Sequence, residues 1–443
     1  MRSERTILEQ AGLASGLLTE VQLDSAWQSL AESLPGADVS LEEITDQQLS
    51  AQLVALGFLN RWQAEQLRQG RTKFTLGPYR ILDAIGQGGM GYVFKGEHTL
   101  LGRIEAIKVL PKSQTDATSI ANFRREIRAQ ARLDHPNLVR LTFADTDGDT
   151  YYLVTEFVPG SDLRRLVRHR GPLSQAQAAI IVTQAAQALD YAHSQGLVHR
   201  DVKPGNLLIT PEARTKLTDL GLAFFAADAA HLPNKPKHIV GTADFLAPEV
   251  IVSPGEVRSI SDVYSLGCTL YYAVTGKVPF PGGDTASKLR RQLDETPIPP
   301  QRLNPALEPE FIAVIDAMMQ KRPEDRIATA AEAIARLKPW TDSADANVWR
   351  EIGALAELPG DDSFHNATLA ETLPEIGSPD ETDGPETDKT DRVRMTRRDL
   401  RSPAPRDATR EDAEEFTVPG RTTKALVALA VLAALAAILL VIF

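Results

Sequence analysis

Between Tyr79 and Leu110 apolar and polar residues alternate with a period of two in three stretches separated by glycine, "YRILDAIG" (79–86), "GYVFKGEH" (91–98) and "EAIKVL" (105–110). Alternation of this kind predicts antiparallel strands with one face buried. Further along, the apolar spacing becomes helical in "SQAQAAIIVTQAAQALDYAHSQG" (174–196) and "SDVYSLGCTLYYAVTG" (261–276), each closed by a glycine as helices often are. A small β-rich part followed by a larger helical part predicts an α+β chain of two lobes. The first 70 residues also read as helices. There "GLLTEVQL" (16–23) and "GFLNRWQAEQL" (57–67) share Gly-apolar-Leu-polar ahead of a Gln-containing run. That similarity predicts two helical hairpins packed together, with an unrepeated helical extension as the alternative.

After Trp340 the pattern fades. Residues 361–391 carry ten Asp or Glu against one Lys, and residues 392–410 carry seven Arg against two Asp. Few large apolar residues and repeated Pro, Thr and Gly predict a flexible tether. It leads to "ALVALAVLAALAAILLVIF" (425–443), nineteen apolar residues without a charge. At ~1.5 Å per residue that run reaches roughly 28 Å, one hydrocarbon core. Arg421 and Lys424 precede it, so a single-pass helix is expected, with the rest of the chain on the cytoplasmic face of the cell membrane. Nothing follows this run, so any signal is expected to arrive from the cytoplasm or the bilayer. A lipid-anchor signal ends similarly but would put the chain outside the cell. The expected organisation is a helical module (1–72), a packed domain (79–338), the tether (339–424) and a transmembrane helix (425–443).

Charge and cysteine narrow the classes. A net charge of −11 and a pI near 5.4 give no footprint for nucleic acid. One cysteine, Cys268, allows no internal disulfide and fits a reducing compartment. The first residues, "MRSERTILEQAGLASGLL", lack the apolar core of a secretory signal.

The chemistry gathers in a few places. "IGQGGMGYV" (85–93) puts Gly86, Gly88 and Gly91 between two expected strands, where a backbone free of side chains can cover a phosphate. A dinucleotide fold would need a helix next, and a strand follows instead. Lys108, late in a strand, offers a point charge to a phosphate; Glu126 on the following amphipathic run is its candidate partner. "VHRDVKPGNLLI" (198–209) holds Asp201, able to accept a hydroxyl proton, Lys203, able to neutralise a phosphoryl group, and Asn206, able to ligate a metal. Asp219 in "LTDLGLA" is a second hard oxygen ligand suited to Mg²⁺. Phosphoryl transfer asks mainly for positioning and charge neutralisation, which such a set supplies.

In that order these motifs resemble a protein kinase, of the bacterial membrane-anchored serine/threonine type, over residues 79–338. "GTADFLAPE" (241–249) resembles the substrate-positioning segment, Asp262 the buried anchor of a long helix, and Arg326 the partner of Glu249. The resemblance implies a bilobal fold with ATP in the cleft under Ile85, Gly86, Gly88, Gly91 and Val93. It implies Lys108 and Glu126 on the phosphates, Glu156 and Val158 of "TEFV" on adenine, and Thr155 behind them. Asn206 and Asp219 would hold Mg²⁺, and Asp201 with Lys203 would act on protein Ser/Thr hydroxyls.

Two departures stand out. Leu220 occupies the place where Phe is commoner after the metal-binding Asp. The segment 220–240 contains no Ser, Thr or Tyr, so its ordering is expected not to need phosphorylation. Arg200 would then be a remnant or meet an acid such as Asp228, and autophosphorylation is expected on tether threonines (Thr368, Thr372, Thr382, Thr387, Thr390). A scaffold acting through residues 1–70 is the alternative, disfavoured by the intact charged set. A small-molecule phosphotransferase is disfavoured by the substrate-positioning segment.

Overall fold

The computed structural model describes residues 5–33, 45–88, 91–110, 127–128, 130–148, 150–220, 243–253 and 257–357. Four helices open the chain: α1 (Ile7–Ala14), α2 (Glu20–Ser33), α3 (Asp46–Ala55) and α4 (Arg61–Arg68). The two similar stretches fold alike. Gly16 and Gly57 take positive φ (70° and 74°), two apolar residues follow, and Thr19 or Asn60 starts the next helix facing Gln22 or Gln63.

A six-stranded antiparallel sheet follows: β1 (Thr75–Leu76), β2 (Tyr79–Gly88), β3 (Gly91–His98), β4 (Ile104–Val109), β5 (Leu141–Asp147) and β6 (Thr150–Glu156), in the order β1-β2-β3-β4-β6-β5. Its period-two alternation divides the sheet. Phe94, Ile107 and Val154 are cross-strand neighbours on one face, where they join Leu8, Leu49, Leu53, Leu67 and Trp62 of the helices in one core. Trp62 sits edge-on to Phe74, with ring centres 5.7 Å apart, and 6.0 Å from Phe94. The Asn60 amide donates to the Leu82 carbonyl of β2 at 2.8 Å. The helices expected as a separate module therefore share a hydrophobic core with the sheet.

The larger lobe begins with β7 (Ser161–Asp162), α5 (Leu163–Arg170) and α6 (Gln175–Ser194). A one-turn 3₁₀ segment (Pro204–Asn206) then leads into β8 (Leu207–Ile209) and β9 (Thr215–Leu217), which with β7 make a small three-stranded sheet. Then come α7 (Pro248–Val252), α8 (Ser259–Thr275), α9 (Thr285–Asp294), α10 (Pro309–Met318), α11 (Ala330–Asp342) and α12 (Ala346–Ala356). Helices α6 and α8 are buried nearly all round and form the centre of the largest core. Cys268 lies inside it, and burial pushes its thiol up to about 12.

One boundary differs from expectation. The packed chain does not end at Lys338: α11 runs through Pro339 to Asp342, and α12 docks on the lobe through Ile352 and Ala356. Trp340 stacks edge-on to Phe311 at 4.9 Å and donates its indole N–H to Glu308. Residues 339–357, read as the start of the tether, are thus held by an apolar stripe within polar sequence. The remaining tether and the apolar run 425–443 lie outside the described residues. Among the described residues no helix is long and apolar enough to cross a membrane.

Candidate active site

The other face of the six-stranded sheet supplies the site's upper half. Gly86, Val93, Lys108 and Leu153 are successive cross-strand partners across β2, β3, β4 and β6, so they share the face opposite the helices. Ile85 is half-buried beside Gly86. Gly91 has φ 119°, a conformation that side-chain-bearing residues avoid, and pairs with Gly88 where the strands turn. Lys108 is held almost wholly inside, with its side chain 8% exposed. Its Nζ lies 2.8 Å from Asp219 Oδ1, although 111 residues separate the two. Glu126, the expected partner of Lys108, lies outside the described residues, as do Gly241 and Thr242.

Asp219 belongs to the larger lobe and takes positive φ (63°) two residues after the end of β9. Burial works against its ionisation, but Lys108, supported by Lys203 and His199, outweighs this and holds the carboxyl below its ordinary value. The carboxylate is therefore charged over the whole neutral range. Beside it, the Leu220 carbonyl accepts from Gln130 of the small lobe, and the Leu220 side chain packs into the large-lobe core.

The loop before β8 brings the remaining groups together. Lys203 Nζ is 2.6 Å from Asp201 Oδ2. Asn206 directs its amide nitrogen to the Asp201 carbonyl (2.7 Å) and carboxylate (3.1 Å), which leaves its amide oxygen as the atom able to face a cation. Pro204 and Gly205 hold the intervening turn as 3₁₀ rather than α. Behind the loop, the nearly inaccessible Asp262 of α8 accepts from the backbone N–H groups of His199 and Arg200, each at 2.8 Å, and meets His193 Nε2 at 2.7 Å. These bonds support the positive φ (71°) of Arg200, next to Asp201. The His199 ring accepts from the Asp201 N–H at Nδ1 and donates to the Thr218 carbonyl at 2.9 Å from Nε2, joining the Asp201 loop to the strand end that carries Asp219.

Two further anchors frame the cleft. Arg326, its side chain fully buried, makes a two-pronged ion pair with Glu249 at 2.8 and 3.0 Å, as the resemblance implies. Where the lobes join, Glu156 and Val158 are half-buried. The Glu156 N–H donates to the Arg140 carbonyl, and its carboxylate accepts from the Arg140 N–H and from Lys216 Nζ at 2.7 Å. Lys216 and His199 went unnoticed in the sequence because their partners are distant in the chain or are backbone atoms.

The donor set fits a nucleotide with a hard cation: a covering glycine turn, one ammonium, one carboxylate and one amide oxygen. Mg²⁺ takes one or two protein carboxylates and fills its other positions with phosphate and water.

The protein kinase domain family matches residues 79–340. The chain is 37% identical over 265 residues to the serine/threonine-protein kinase PknB of Mycolicibacterium smegmatis, a stretch covering 58% of this chain and 42% of that protein. It is 33% identical over 302 residues to a probable serine/threonine-protein kinase of Clostridium acetobutylicum, covering 65% and 45%. A crystal structure of Rad53 1–466 in complex with AMP-PNP superposes with a TM-score of 0.50 at 31% identity, over 64% of this chain and 70% of that one. The chain thus spans less than half the length of these curated relatives.

Proposed function

Because the chain belongs to the protein kinase family, we propose that it is an ATP- and Mg²⁺-dependent serine/threonine protein kinase. The observation that carries this is the 2.8 Å pairing of Lys108 with Asp219 beside the Asp201–Lys203–Asn206 cluster, groups drawn from both lobes. Bound Mg²⁺ would neutralise charge on the nucleotide phosphates, with Asp219 and Asn206 as its protein ligands. Asp201 takes the proton of the substrate hydroxyl as that oxygen forms its bond to the γ-phosphorus and the bond to the ADP oxygen breaks. Lys203 stays against Asp201 and meets charge on the transferred group. Lys108 restrains the phosphates, and Ile85, Gly86, Gly88, Gly91 and Val93 cover them. The backbone at Glu156 and Val158 faces the adenine, and Glu126 is the second partner of Lys108.

The test is transfer from γ-labelled ATP to a generic protein substrate by the full chain with Mg²⁺. Asp201→Asn is expected to bind nucleotide and lose ~10²–10⁴-fold in turnover, the usual worth of a positioned base. Full turnover in that variant would contradict the assignment. A scaffold without catalysis remains the other reading, and the intact charged groups speak against it.

Residues 425–443 are proposed as the membrane anchor, with the catalytic lobes in the cytoplasm. Deleting them is expected to move the protein from the membrane to the soluble fraction. Unchanged sedimentation with membranes would reject the anchor.

A further inference from the structure

Helix α5 presents a cationic face in a chain whose net charge is −11. Its buried side is Leu163, Leu166 and Val167, while Arg164 and Arg168, one turn apart, are exposed on another side and Arg170 is exposed at the C-terminal end. The helix packs against the Pro204–Asn206 turn, which follows Asp201 by three residues. Near the C-terminal end of the helix Lys277 is also exposed, next to Gly276, which approaches Val167 and Pro172.

Ordinary helix stabilisation does not account for the arrangement. Arg168 and Arg170 lie in the last turn, where cations complement the helix dipole. Arg164 and Arg165 lie in the first turn, where they oppose it; the Asp162 cap, which accepts from the Arg165 N–H at 3.0 Å, places a carboxyl near both. Arg164 and Arg168 are also like charges four residues apart, a destabilising spacing. Among the described residues no ion pair engages Arg164, Arg168, Arg170 or Lys277. Like charges gathered against local helix preference, on a helix packed against the turn that follows Asp201, fit an anionic ligand.

We propose that the cationic face of α5 docks acidic flanks of protein substrates, so that Ser/Thr acceptors in acid-rich chain are preferred. This rests on the kinase reading above and adds the substrate class. The chain itself contains sequence of that chemistry, such as residues 377–391, "GSPDETDGPETDKTD", with Thr382, Thr387 and Thr390 among six acidic residues and one lysine.

The experiment uses the full chain and two synthetic peptides, residues 377–391 and the same sequence with Asn and Gln replacing Asp and Glu. The acidic peptide is expected to show about a fivefold lower KM at low salt, as a few solvent-exposed ion pairs would give, and the gap should narrow as salt is added. In the double variant Arg164→Gln/Arg168→Gln the two KM values converge with kcat unaltered. Arg164→Lys/Arg168→Lys keeps the preference, which separates charge from packing. No preference in the wild type, or a preference indifferent to the Gln variant, overturns the proposal. Fluorescence anisotropy of the labelled peptides reads docking without catalysis. If neither peptide nor a generic protein is phosphorylated, the kinase reading falls, while tighter anisotropy binding of the acidic peptide, lost in the Gln variant, still supports the docking face. Loss of binding to phosphatidylserine–phosphatidylcholine vesicles in the Gln variant, with unchanged peptide kinetics, overturns it in favour of a lipid surface.

Discussion

Arg326 and Glu249 put two full charges where water hardly reaches, and such a pair resists the loss of either partner far more than its net contribution would suggest. Arg326 also donates to the carbonyls of Ile260, Gln320 and Lys321, so Arg326→Leu strands a carboxylate and three acceptors. The expected cost is about 3–5 kcal/mol, read from urea unfolding of the full chain. The pair also has an acid limit. Burial raises the Glu249 carboxyl, but hydrogen bonds and charge from Arg326, with a bond from Ser261, hold it below its ordinary value of 4.5. A carboxyl lowered by folding stabilises above its unfolded pKa and loses that contribution as pH falls through the folded value. Unfolding free energies of the wild type and Glu249→Gln should therefore differ at pH 7 and approach one another below pH 4.5. A gap that stays constant into acid would show that the charge is not what the pair contributes.

At the scale of elements, α4 is the clearest case of a helix that belongs to its neighbour. Trp62 is 2% exposed and touches Phe74 and Phe94, so Trp62→Ala empties a site closed by both helix and sheet. A loss of about 3–5 kcal/mol is expected from such a truncation, measured by thermal or denaturant unfolding. The strands of this sheet were legible from period-two alternation, and the like turns at Gly16 and Gly57 from the repeated Gly-apolar-Leu-polar start. Their union was not, because Phe94 and Ile107 alternate as any half-buried strand does, and periodicity does not say what covers a face. The cluster in the Asp201 loop was legible because Asp201, Lys203 and Asn206 are local in the chain. Lys108 and Asp219 came together through family resemblance alone. Helix α12 was missed although Val348, Ile352 and Ala356 recur every four residues; the polar composition around them masked the stripe. The cationic face of α5 was missed because charge was summed over the chain rather than along each helix.

For the molecule as a whole, the shared core makes residues 1–72 part of what keeps the small lobe folded. Deleting them uncovers Phe74, Tyr79, Phe94 and Ile107 together, a patch that soluble proteins rarely expose. The truncated chain is expected to bind an apolar dye and unfold at lower temperature than the full chain. Equal unfolding temperatures would mean that the helices ride on the lobe without supporting it. The cleft lies on the other face of the same sheet, so a partner that grips the helices acts on a plate whose underside carries Lys108.

Asp262 has a bearing on how such a molecule fails. One carboxylate from a helix at the centre of the largest core grips two consecutive amides beside Asp201, so the geometry of that loop is bolted to the core. Warming should leave turnover intact until that helix gives way, and then abolish it abruptly, with inactivation and loss of the large lobe's near-ultraviolet dichroism following one curve.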